Sequence, residues 1–166
     1  MLLRKKRPSK VCVIGNSHIT ALKRHWDNDP HKKQWTPTFF GTSSIALKGL
    51  RVEGEILTPP SKASMASFER TSGGMMKIDC TQFDEFYLHG MISGSALAKM
   101  IFDIDTSSER GMALSSAFTE EIITTFYDES LLKLVALKLR AATDKPIFVS
   151  SGPLPSTDYQ HSRGAI

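Results

Sequence analysis

The chain has 166 residues, a length that suits one domain with a buried core. Its 40% hydrophobic and 23% charged residues are those of an ordinary globular protein, which sets aside collagen-like, coiled-coil and wholly disordered chains. The formal net charge of +4 sits largely in Arg4, Lys5, Lys6, Arg7 and Lys10, so it marks a solvated basic tip over residues 1–10, and no interleaving of aromatic and basic residues points to nucleic acid.

After the tip, Val11-Cys12-Val13-Ile14 is an apolar, β-rich run ended by Gly15-Asn16, and it predicts a buried strand. It is too short for the apolar region of about 7–15 residues in a secretion signal. No other run approaches the roughly 20 apolar residues of a membrane span. Cys12 and Cys80, without a patterned spacing, read as reduced small hydrophobes. These features lead to the expectation of a cytoplasmic protein with no membrane partner.

Ile19, Leu22 and Trp26 recur at helical spacing, and Asn28-Asp29-Pro30 stops that helix. Trp35–Phe40 is a second predicted strand, closed by Gly41-Thr42-Ser43-Ser44. Leu50–Leu57 partly alternates, Pro59-Pro60 breaks it, and Ala63–Arg70 is expected to return as a strand, giving a β-hairpin excursion that ends at Gly73-Gly74. Asp84–His89 predicts a third core strand, Ser95–Ile101 a short helix, and Asp103–Gly111 a loop. From Phe118 to Arg140 the spacing is helical, with Phe118, Ile122, Phe126, Leu131, Leu134 and Leu137 on one face and a division near Asp128-Glu129-Ser130. Ile147-Phe148-Val149 is the fourth strand.

Strands alternating with helices predict an α/β fold: a mostly parallel sheet with helices on both faces. Ligands bind such sheets at the carboxyl ends of the strands. The candidate site is therefore bounded by Gly15-Asn16-Ser17-His18, Gly41-Thr42-Ser43, His89-Gly90-Met91 and Ser150-Ser151-Gly152. Ser17 stands out, because a serine on a tight strand-to-helix turn presents its hydroxyl above the sheet edge with its N–H at a helix N-terminus. An equally simple reading has Ser17 capping the helix.

Val13-Ile14-Gly15-Asn16-Ser17-His18-Ile19 resembles the first sequence block of the SGNH/GDSL hydrolases, in which a Gly-Asp-Ser or Gly-Asn-Ser tripeptide presents the nucleophile. The resemblance implies a flavodoxin-like three-layer sandwich over residues 1–166, with Ser17 attacking an O-acyl ester such as an acetylated carbohydrate. It also implies an oxyanion hole from the Ser17 N–H, the Gly41 N–H and an asparagine after the third strand. The family's Gly-x-Asn-Asp block is here Gly90-Met91-Ile92-Ser93, so Gly90 matches and Ile92 stands where the asparagine would be; Asn16, Ser93 or His89 are candidate substitutes. The family's Asp-x-x-His pair matches Asp158-Tyr159-Gln160-His161, with His161 as base and Asp158 orienting it. That pair follows the fourth strand more closely than the family's order implies, and the chain is expected to lack the C-terminal portion of such a domain.

His18 and His89 are candidate pocket or substrate-binding residues, while His25 and His31 read as solvated. No histidine pair has metal-ligand spacing with a supporting carboxylate, so neither a metal nor a cofactor is expected. The leading expectation is a serine esterase, the runner-up a non-catalytic ligand- or carbohydrate-binding module on the same fold. A nucleotide-binding domain is weaker, for want of a Gly-x-Gly-x-x-Gly pattern.

Overall fold

Strand β1 (Ser9–Gly15) carries Cys12 and Ile14 toward one face and Val11 and Val13 toward the other, and both sets find apolar partners. It is therefore an inner strand. In the computed structural model, which describes residues 7–29, 34–92 and 115–150, it pairs in parallel with β2 (Trp35–Gly41) on one side and β6 (Glu85–His89) on the other. Strand β7 (Ile147–Ser150) extends the sheet beyond β6, giving the order β2-β1-β6-β7. Pro37 lacks an N–H for the ladder, and it lies on an edge strand, where that loss is tolerated.

Helix α1 (Ile19–Asp27) packs its Ile19, Leu22 and Trp26 with Val13 and Phe39 on one face. The opposite face takes α2 (Ser44–Lys48), α3 (Lys62–Ser72) and the last helix of the chain's described part, α5 (Leu131–Ala142), through Leu47, Phe68, Val135 and Leu139. Helix α4 (Ser116–Asp128) precedes α5, and Ser130 caps α5 by accepting a hydrogen bond from the Lys133 N–H at 3.1 Å. The expected division near Asp128 is thus present; of the expected apolar face Ile122 and Leu131 are buried and Leu134 packs against the core, whereas Phe118 is exposed. Helix α5 starts afresh at Ser130, so its buried stripe runs Leu131, Val135, Leu139 and Ala142, and Leu137 is 60% exposed.

The hairpin excursion also differs from expectation. Strands β3 (Arg51–Glu53) and β4 (Ile56–Thr58) pair with each other around Gly54, and β5 (Ile78–Asp79) adds a third antiparallel strand. Ala63–Arg70 is helical, not a strand. Ser61 and Ser64 form a reciprocal capping box at the start of α3, and Gly73, at φ +84°, ends it in the left-handed conformation that glycine adopts without strain. These local signals outweigh the weak alternation of the segment.

Lysines fasten the periphery. Lys138 Nζ donates to the Leu50 carbonyl at 2.7 Å and to that of Lys48, and Lys145 Nζ donates to the Cys80 carbonyl at 2.8 Å and to those of Thr81 and Phe83. Arg7 reaches from the basic tip to Asp84, whose carboxylate also accepts the Lys10 N–H, and these contacts hold its pKa below the ordinary carboxylate value. No helix among the described residues is long and apolar enough to cross a membrane.

One buried hydroxyl is unsatisfied among the described residues: Thr58 Oγ1, on a residue only 3% exposed. A buried polar atom without a partner costs about 1–3 kcal/mol. Thr58→Val keeps the shape and removes the hydroxyl, so we expect a gain of about 1 kcal/mol. In urea unfolding this reads as a higher midpoint with an unchanged slope; a lower midpoint would show that the hydroxyl is satisfied in solution.

Candidate functional site

The side on which successive parallel strands are added reverses at β1: the first crossover runs from β1 to β2 on one side, and β6 is added on the other. The carboxyl ends of β1 and β6 therefore form a topological switch point, where the flanking crossovers diverge and leave a crevice. Gly15 and His89 are paired across that seam. A Cβ on Gly15 would lie 2.8 Å from the His89 carbonyl oxygen and 3.2 Å from Ile19 Cβ, so only glycine permits this approach.

Asn16 builds the turn that follows. Its Nδ2 donates to the Gly90 carbonyl at 2.7 Å, and its Oδ1 accepts the His18 N–H at 3.1 Å. This local side-chain bond is an Asx-type turn that leads the chain into α1. Ser17 does not cap the helix: His18 holds the N-cap position and makes no side-chain cap bond. Ser17 is exposed, and neither its hydroxyl nor its N–H is engaged among the described residues.

Gly90, at φ +69°, turns the chain away from β6 beneath His18, whose Cβ and Cδ2 would lie 3.2 and 3.5 Å from a Cβ at that position. Beside it, His89 Nδ1 and Ser150 Oγ are 2.8 Å apart, joining the paired ends of β6 and β7. Burial holds the His89 pKa below its ordinary value, with the nearby His18 as the second cause, which favours the neutral imidazole.

The structure thus brings Asn16, Ser17, His18, His89 and Gly90 to one edge. Gly41 is placed differently from an open oxyanion donor. Its N–H donates to Thr71 Oγ1 at 2.9 Å and its carbonyl accepts from Ser67 Oγ at 2.9 Å, both from α3. Ile92, at the position of the resembled family's asparagine, packs against the main core. Asp158 and His161 lie outside the described residues, as do Ser93 and the segments expected as helix 95–101 and loop 103–111. Ser150 was legible only as part of a polar strand exit, because its partner His89 lies 61 residues away in the chain. Among the described residues no group of three or more His, Cys, Asp and Glu side chains is placed to hold a metal ion. The chain matches no family model, no curated protein and no solved structure.

Two predictions follow from this geometry. Gly90→Ala forces an L-residue into the left-handed region and sets a methyl against His18, so unfolding stability drops by about 1–2 kcal/mol or more; an unchanged urea midpoint would contradict it. The second concerns acid. His89 has a lower pKa folded than unfolded, so nothing is lost above the unfolded value of about 6.5. Below it the unfolded chain takes up a proton that the folded chain resists, and stability falls with pH. Comparing urea midpoints of the wild type and His89→Asn at about pH 7.5 and about pH 5.5 isolates this slope; equal slopes would remove His89 as its source.

Proposed function

We propose that this chain is a serine hydrolase of the SGNH/GDSL type, cleaving a small O-acyl ester through an acyl-enzyme on Ser17. The observation that carries the reading is the state of Ser17: an exposed serine on the strand-to-helix turn at the switch point, with hydroxyl and N–H both uncommitted among the described residues. A capping serine would have spent its hydroxyl on the helix. The sheet order β2-β1-β6-β7, counted along the parallel strands as 2-1-3-4, is also the order of flavodoxin-like sheets and is compatible with the resemblance.

In this reading Ser17 Oγ attacks the acyl carbon while its proton passes to a histidine base. His161, oriented by Asp158, is the residue the resemblance nominates. The Ser17 N–H supports the developing oxyanion. The alcohol leaves with the proton, and water then releases the acid. The substrate class, including acetylated carbohydrates, comes from the resemblance alone.

A second reading, a ligand- or carbohydrate-binding module on the same fold, is favoured by one specific observation. The Gly41 N–H is spent on Thr71, and Ile92 faces the core, so two of the resembled family's three oxyanion donors are not offered here. Loss of one such donor costs about 2.7–4 kcal/mol of transition-state stabilisation. Hydrolysis of p-nitrophenyl acetate by the folded chain separates the two. The hydrolase reading expects turnover above background that falls at least about a hundredfold in Ser17→Ala. Rates no higher than the buffer background in both wild type and variant would leave the binding module, whereas equal rates above background would remove Ser17 as the nucleophile.

A further inference from the structure

The His89–Ser150 pair is not used by that reading. A serine hydroxyl within 2.6–3.2 Å of an imidazole nitrogen is the arrangement of an activated nucleophile and its base, and here the separation is 2.8 Å. In the tautomer with the ring proton on Nε2, Nδ1 accepts from the Ser150 hydroxyl, which is the arrangement a base requires. The pair sits at the carboxyl end of the parallel sheet, one residue along β6 from the Gly90 turn, on the edge where ligands of such sheets bind. Both residues are partly exposed.

We propose that Ser150 is a second nucleophilic serine of this chain, with His89 as its general base, and that the pair accepts an acyl group from an ester. The proposal stands apart from the role of Ser17. In the step, Ser150 Oγ forms a bond to the acyl carbon as its proton moves to His89 Nδ1, and the carbonyl electron pair moves onto oxygen. Collapse of that adduct breaks the bond to the alcohol oxygen, which leaves with the proton from His89. Water attacking the acyl-serine by the same route restores both residues.

A competing structural role is a simple cross-strand hydrogen bond that fixes the register of β6 and β7, and the test separates the two. The folded chain is treated with a fluorophosphonate, in which the serine oxygen displaces fluoride from phosphorus, and the adduct is located by fragmentation of tryptic peptides. Ser17 falls in Val11–Lys23 and Ser150 in Ala141–Arg163, because Pro146 blocks cleavage after Lys145. The proposal expects an adduct on Ser150 that persists in Ser17→Ala and disappears in Ser150→Ala. His89→Asn places an amide near the Nδ1 position, keeps a hydrogen bond to Ser150 and removes the base. There the rate of Ser150 labelling falls by about 10²-fold or more while the thermal midpoint at about pH 7.5 shows a folded chain.

The wild-type labelling rate should also rise with pH through the ionisation of His89, whose pKa is lowered first by burial and then by the nearby His18. An adduct on Ser17 alone, no adduct on either serine, or an unchanged rate in His89→Asn overturns the proposal. An adduct on Ser150 alone upholds it and removes Ser17 as the nucleophile.

Discussion

The structure depends on how closely α1 can settle onto the ends of β1 and β2. Two glycines allow it. A Cβ on Gly41 would lie 2.6 Å from Ile19 Cγ2, and one on Gly15 would meet both Ile19 and the His89 carbonyl. Ile19 fills the space that those missing side chains leave, at 2% exposure. Because Gly15 and Gly41 face each other in the ladder, the first turn of α1 rests directly on the sheet. The strand-to-helix turn can then be as short as Asn16-Ser17-His18, and a short turn is what holds Ser17 out at the edge.

From that contact the polar edge is organised outward. Asn16 spans the seam to Gly90, Gly90 lets β6 turn under His18, and His18 biases His89. His89 in turn meets Ser150 on the neighbouring strand β7. Each link is short and crosses from one parallel strand exit to the next. On the far side of β1, α3 is tied to Gly41 through Ser67 and Thr71, so the β2 exit is closed by protein hydrogen bonds while the β6 and β7 exits carry the imidazole and hydroxyl.

Much of this was legible in the sequence where one physical signal dominated. The continuous apolar run of β1, ended by a glycine, marked an inner parallel strand, since both of its faces are covered. Such runs placed the strand exits and hence the candidate residues. Helix α3 was missed because its segment carries one fully buried apolar side chain, Phe68, and its stability comes from a serine capping box and a terminal glycine rather than from periodicity. The five-residue α2 and the two-residue β5 are too short to establish any period. The partner of Gly41 could not be read because Thr71 lies 30 residues away on that same misread segment. The two roles of Asn16 were hidden for a related reason: a side chain that bridges two strand exits leaves no mark on local spacing.

All three pairings in the main sheet are parallel, so none of them can begin as a hairpin. The antiparallel ribbon at 51–58 can close over a few residues, whereas the Asn16–Gly90 bond joins positions 74 residues apart. Closing so long a loop costs chain entropy before the contact returns any stabilisation, which slows the assembly of parallel sheets. Contact order therefore places the polar edge among the contacts expected to form late. A partly folded chain can hold the ribbon and its helices, yet it has no seam between β1 and β6 and so no place where these side chains meet.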